Sequence, residues 1–280
     1  MLYGEDGDGV PRLGLVLGGG GGRGSYQIGV WKALHERGID EHIDLLSGVS
    51  VGALNGLMFI QGECEAAEEA WLNISPSQVL GLHGLDLTTR PTFSELPAVV
   101  RSAFRGPMRR SVFSSQGLEQ TVSRYVHLDR VSASARPAFA ACCCIWPPTG
   151  QAEYFRLNGR PSDAILRILL ASCAIPLIFE RVNIEGRVYC DGGVVDNLPV
   201  RPAINEGCDV VIAVHLEPPA RKRRFSKRAK VIHIIPSESL GRVLDGILDF
   251  TPENVRWRID TGYQDATDRI DDIERALSSV

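Results

Sequence analysis

The sequence predicts an α/β fold with a mainly parallel central sheet, and three observations carry that prediction. The first sixty residues alternate strand, glycine loop, helix, strand, tight turn and helix, the order a layered α/β fold requires. Further apolar runs of strand length recur at 137–146, 151–157, 209–216 and 231–235. A chain of 280 residues, 44% hydrophobic and 23% charged, is long enough for a proper core and unlike a disordered or fibrous one.

Taken in order, Arg12 to Gly18 is a short apolar run closing in glycine, as expected of a buried strand. Gly18 to Gly24 form a loop interrupted only by Arg23. A helix begins near Ser25, with Ile28, Val30, Trp31 and Leu34 apolar and Gly38 as its stop. Ile43 to Leu46 make a second strand and Val51 to Ile60 a second helix. From Ser75 to Arg136 the composition shifts toward Pro, Gly and Arg. There Phe93, Leu96, Val100, Ala103 and Phe104 recur at helical spacing beside Arg101 and Arg105, which reads as a small helical cap inserted at 75–136. A helix is expected from Ser162 to Ser172, then a hairpin at Glu185-Gly186 leading into Val188–Asp191. The tail from Pro252 to Leu277 reads as one charged amphipathic helix. There are no internal repeats.

Charge and composition exclude several classes. With 30 Lys+Arg against 34 Asp+Glu, a net charge of −4 does not suit wrapping a phosphate backbone, and no nucleic-acid partner is expected. The longest nearly apolar run, Ile168 to Phe179, contains Ser172 and Pro176 and falls short of the ~20 residues a bilayer span needs. The N-terminus is acidic and glycine-rich where a signal peptide is basic and then apolar. The expected location is therefore cytoplasmic, with contact to membranes at most peripheral. Seven cysteines, three of them the adjacent Cys142, Cys143 and Cys144 in a strand, make neither a disulfide framework nor a zinc pattern, so no metal is expected.

Three motifs carry chemistry. Gly48-Val49-Ser50-Val51-Gly52 is a G-x-S-x-G at a strand-to-helix junction, where a sharp turn projects the Ser50 hydroxyl and aims the first N–H groups of the next helix at it. Gly19, Gly20, Gly21, Gly22, Arg23 and Gly24 open the first helix. Their spacing also fits a dinucleotide loop, but that site wants an acidic residue at the end of the second strand, and Ser50 stands there instead. The glycine run suits an oxyanion hole, whose loss of one donor typically costs ~3–4 kcal/mol of barrier height. Asp191-Gly192-Gly193, after a short strand, is by itself a common turn sequence.

Together, in this order, the three motifs resemble those of the patatin-like phospholipases. Gly24 to Val30, Ala171 to Pro176 and Asp191 to Pro199 resemble segments of that family too. The likeness covers most of residues 12–216, is weak in the cap and fades after Leu216. It implies a three-layer sandwich as catalytic domain over 12–216, completed by a basic loop, a last strand and C-terminal helices over 217–280. It implies a Ser50–Asp191 dyad, with the oxyanion held by N–H groups of Gly19 to Gly22 and Val51, and no cofactor. Gly48, Gly52, Gly192, Gly193, Arg23 and Gly24 complete the motifs. The expected activity is hydrolysis of acyl esters of phospholipids or lysophospholipids. The alternatives are a carboxylesterase or thioesterase on soluble acyl substrates, and a nucleotide- or lipid-binding module that keeps the glycine loop without turnover.

Serine hydrolysis ordinarily uses a histidine base. Among six histidines His215, ending a predicted strand, is the best placed for a triad. A dyad demands that Asp191 be desolvated enough to be basic, and Val188-Tyr189-Cys190 before it is apolar. Arg23 orients the loop, meets a phosphate headgroup or is simply solvated on the helix surface. Arg221, Lys222, Arg223, Arg224, Lys227, Arg228 and Lys230 form a basic stretch suited to an anionic lipid surface or simply to solvation.

Overall fold

The structure is a computed structural model and describes residues 11–74, 78–79, 115–146, 150–176, 178–219 and 228–279. The helical stripe of the cap from Phe93 to Arg105, His83, and Arg221 to Lys227 lie outside the described residues. Eight strands form one sheet: β1 (Leu13–Leu17), β2 (Ile43–Val49), β3 (Ala138–Trp146), β4 (Gln151–Arg156), β5 (Val182–Ile184), β6 (Arg187–Asp191), β7 (Val210–Val214) and β8 (Lys230–Ile234). Their order is β5-β6-β3-β2-β1-β7-β8, with β4 added on β3. The β3-β2-β1-β7-β8 run is parallel, and β4, β5 and β6 join by antiparallel pairing.

β1 and β7 are buried along their whole length, which is why they read as unbroken apolar runs rather than alternating ones. Leu13, Leu15 and Leu17 pack into the larger core with α1 (Ser25–Glu36), α2 (Val51–Gln61), α3 (Cys64–Asn73), α6 (Ser162–Ser172), α8 (Pro252–Thr267) and α9 (Ile270–Leu277). Val16, with Leu45, Val211 and Ala213, faces a smaller core covered by α7 (Arg201–Asn205). The sheet is thus flanked by helices on both faces, unevenly. Residues after 217 supply β8 to this sheet and α8, α9 to its helical layer.

Within the stretch expected as cap, α4 (Gln116–Tyr125) and α5 (Leu128–Ala133) are helical, and Leu118, Val122 and Val131 are buried in the main core. The tail is not one helix. It breaks at Asp268–Arg269 into α8 and α9, so that α9 lays Ile270, Ile273 and Leu277 into the core with β7 and β8. α8 packs instead along α1, tied by the Tyr26 hydroxyl donating to Asp265 at 2.8 Å.

The pairing of β3 sets up the site. β4 runs along one edge of β3, opposite Phe139 to Cys144. The other edge is shared: β2 pairs in parallel up to Val49↔Ala141, and β6 pairs antiparallel from Trp146 to Cys142↔Asp191. β2 and β6 therefore run toward each other along one edge and stop at adjacent positions.

Candidate active site

Ser50 stands between β2 and α2 at φ 55°, ψ −130°. Among the described residues only it and Glu185, in the β5–β6 hairpin, are non-glycine with positive φ. Such a conformation costs about 1–3 kcal/mol and persists only where the surroundings impose it. Here they do. A Cβ on Gly48 would lie 2.4 Å from the Gly52 carbonyl oxygen, and one on Gly52 2.3 Å from that of Leu17. The turn is that tight because α2 starts directly against the ends of β1 and β2. The Ser50 N–H donates to Ser172 Oγ at 2.9 Å, and the Ser172 hydroxyl donates to Ala141 O at 2.7 Å. Ser172, fully buried, thereby ties the elbow to β3.

Asp191 ends β6. Its N–H donates to Ala174 O at 2.9 Å, and Oδ1 accepts the Gly193 N–H at 2.7 Å. The Ser50 hydroxyl is near enough to the same carboxylate to favour its charged form. Both residues are nearly closed to solvent, 5% exposed for Ser50 and 6% for Asp191. Burial raises the Asp191 pKa to about 6, against the opposing pull of the nearby Ser50 hydroxyl and of the Gly193 N–H. Buried Tyr189 and Cys190 precede it in β6, and Cys173, whose thiol burial also pushes up, contacts Ser50.

The glycine loop is held by its carbonyls. Gln27 Nε2 donates to Gly18 O at 2.7 Å, Asn197 Nδ2 to Gly19 O at 3.2 Å and Arg23 Nε to Gly20 O at 3.3 Å. Gly22 O accepts from Ser25 Oγ at 3.1 Å and Arg258 Nη1 at 3.3 Å. In a planar trans peptide the N–H points opposite to the carbonyl, so drawing Gly19 O and Gly20 O back turns the Gly20 and Gly21 N–H groups the other way. Gly21 lines the cleft with Ser50 and Val51, and the Val51 N–H, first in α2, has no partner within its helix. The Gly19 N–H is engaged differently, donating to Asn197 O at 3.4 Å. Gly22 and Gly24 are buried behind the loop, and Gly192 and Gly193 form the turn after Asp191, where Gly193 abuts Asn197.

Arg23 is buried rather than solvated. Besides Gly20 O it reaches Glu217 at 3.2 Å, which fits loop orientation. The cleft beside Ser50 encloses about 580 Å³ to its open mouth and is walled by Leu54, Trp71, Leu118, Ile175, Phe179 and Phe250, among others. Among the described residues that line it, the polar side chains are Ser50, Thr121, the Cys173 thiol and Trp71, whose indole N–H donates to Asn55.

A Patatin model, described as patatin-like phospholipase, matches residues 15–204, which span β1 to α7 and both candidate catalytic residues. The chain belongs to the patatin-like phospholipase family. Over 210 residues it is 31% identical to an uncharacterized NTE family protein of Mycobacterium tuberculosis, covering 75% of this chain and 50% of that one. It is 30% identical to lysophospholipase nte1 of Aspergillus terreus, covering 72% of this chain and 12% of the fungal protein. The chain thus spans about half the length of the mycobacterial relative and a small part of the fungal one. The fold is shared with VipD from Legionella pneumophila (TM-score 0.59, 15% identity, 94% and 67% of the two chains). It is shared too with human GIVD cytosolic phospholipase A2 bound to a fluorophosphonate (TM-score 0.54, 11% identity, 96% and 59%).

In this family member His215 and His35 are engaged elsewhere. His215 Nε2 lies 2.9 Å from His233 Nδ1, and burial first, His233 second, pushes the His215 pKa down to about 4. His35 bonds Asp40 at 2.8 Å at the end of α1. All seven cysteines are buried and unbridged, and no group of three or more metal-ligating side chains occurs among the described residues. No helix among them is long and apolar enough to cross a membrane. Sequence reasoning missed Ser172, Asn197, Gln27 and Arg258. The first three lie in stretches singled out beside the motifs. Nothing in the pattern marks Arg258, a charged residue on a charged helix.

Proposed function

We propose that this chain is a serine acyl hydrolase of the phospholipase A or lysophospholipase type, with Ser50 as nucleophile and Asp191 as its direct base. One observation carries the reading: a strained serine at the rim of an apolar cleft stands beside a buried carboxylate whose pKa has risen to about 6. A carboxylate of ordinary pKa is a feeble proton acceptor, and desolvation brings this one toward the operating range of a general base. The name of the fungal relative, lysophospholipase, favours the same substrate class.

In acylation, Ser50 Oγ attacks the ester carbonyl carbon while Asp191 takes its proton. The carbonyl oxygen becomes an oxyanion facing the N–H groups of Gly20, Gly21 and Val51, with the first-turn dipole of α2 behind them. Collapse breaks the ester C–O bond, and Asp191 returns the proton to the departing glycerol oxygen. Water then attacks acyl-Ser50 by the same steps, releasing the fatty acid and restoring Ser50. The acyl chain lies in the cleft, where Leu54, Leu118 and Phe179 replace water around it.

A nucleotide-binding module is disfavoured, because the carbonyl oxygens of Ile247 and Asp249 close over Gly21 and Gly22 and would repel a phosphate. Thioester hydrolysis would use the same residues with a different leaving group. Peripheral docking on anionic lipid through the basic stretch that ends at Arg228 and Lys230 belongs to the same proposal. The test is stoichiometric labelling by a fluorophosphonate, lost in Ser50→Ala, combined with fatty-acid release from lysophosphatidylcholine. A folded protein that neither labels nor releases fatty acid overturns the reading. Faster turnover of acyl thioesters would reassign the substrate.

A further inference from the structure

We propose that Arg258 is a positioning residue for the glycine loop, and that the segment it ties down, residues 241–250, is a working wall of the active site although it lies beyond the family-matched region. This rests on the acyl-hydrolase reading above. Arg258, on α8, is wholly buried. Nη1 donates to Gly22 O at 3.3 Å and to Asp249 O at 2.8 Å. Nη2 donates to Asp245 O at 2.9 Å and meets Asp249 Oδ2 at 3.3 Å. One side chain thus joins three parts of the chain: α8, the glycine loop and the turn of π-helix Val243–Ile247 with its exit.

The joined parts touch directly. A Cβ on Gly21 would lie 2.2 Å from Ile247 O, and one on Gly22 2.1 Å from Asp249 O. Those two glycines are therefore required by the approach of the C-terminal segment. On its other side the segment faces the cleft, which Ile247, Leu248 and Phe250 line together with Ser50 and Gly21. Phe250 stacks on Trp71 across it, ring centroids 6.1 Å apart. Asp249 is itself held, accepting from the Thr251 N–H at 2.9 Å, from Thr251 Oγ1 at 2.8 Å and from Asn254 Nδ2. A planar fork with several fixed donors suits a junction of carbonyls, which a lysine would hold at fewer points.

A loop pulled back by Gly22 O and pressed by Ile247 O cannot relax, and its donors are aligned before substrate arrives. The consequence is a specific kinetic signature. Donors that act on the developing oxyanion affect kcat, whereas a damaged cleft raises KM. The experiment measures kcat and KM on short-chain p-nitrophenyl esters, with thermal melts, for the intact chain, Arg258→Gln and Gly246→Ala. The last variant distorts only the segment, since a Cβ there would lie 2.6 Å from the Gly241 carbonyl carbon. We expect folded Arg258→Gln to lose at least about tenfold in kcat with KM within about threefold, and Gly246→Ala, which also moves the cleft wall, to lose as much in kcat together with a rise in KM. If Arg258→Gln does not fold, Gly246→Ala carries the test. Turnover within about threefold of wild type in a folded variant, or a loss confined to KM, overturns the inference while leaving the Ser50–Asp191 reading standing. A wild-type protein inactive on every ester overturns that reading first, and this inference with it.

Discussion

Ser50 and Asp191 meet because β2 and β6 run head to head along one edge of β3. Val49 pairs with Ala141 and Asp191 with Cys142, so the residues that end the two strands occupy neighbouring places. The strained elbow and the buried carboxylate then face each other in a setting that water scarcely enters.

That burial makes Asp191 a stability liability with a defined pH window. Its pKa rises from 3.8 unfolded to about 6 folded, so the folded chain binds the proton more tightly. The folded state is favoured below pH 3.8, loses stability as pH climbs to 6, and above that carries a constant penalty of about 3 kcal/mol. Asp191→Asn is expected to melt higher than wild type at pH 8, with the gap closing near pH 4, and to be inactive. Since the base must be ionised, kcat/KM should fall on the acid side with an apparent pKa near 6. Melts at the two pH values and a pH–rate profile check both; a pH-independent gap refutes the assignment.

Ser172→Ala removes the one side chain that bonds both the Ser50 N–H and the Ala141 carbonyl. Two buried backbone groups then lose their partner, a cost of about 1–3 kcal/mol. Denaturant unfolding should report that loss, and esterase assays should report lower kcat as the elbow loosens. Full stability in Ser172→Ala would mean the relay is idle.

His215→Ala should leave kcat within about threefold of wild type, since the imidazole is engaged with His233 and held neutral by burial. A drop of more than about a hundredfold in a folded variant would replace the dyad by a triad.

Binding to vesicles rich in phosphatidylserine should weaken steeply between about 50 and 500 mM salt, because exposed charges are screened over the Debye length. The basic stretch from Arg221 to Lys230 motivates this. Binding that ignores salt, measured by co-sedimentation, would assign it to apolar contact instead.

The sequence alone determined the local parts. Apolar runs without alternation announced β1 and β7, the helix expected over Ser162–Ser172 is α6, and glycines at 48 and 52 announced a turn that only small residues permit. These are short-range matters, decided by sterics and by which face must be covered. Only the tertiary structure decided that α8 and α9 part at Asp268, that Arg23 turns inward to Glu217, and that Arg258 reaches Gly22. Such contacts form between segments far apart in the chain, and a charged residue on a charged helix looks the same whether it meets water or a buried carbonyl. What packs against it is known only once the sheet has brought the chain back.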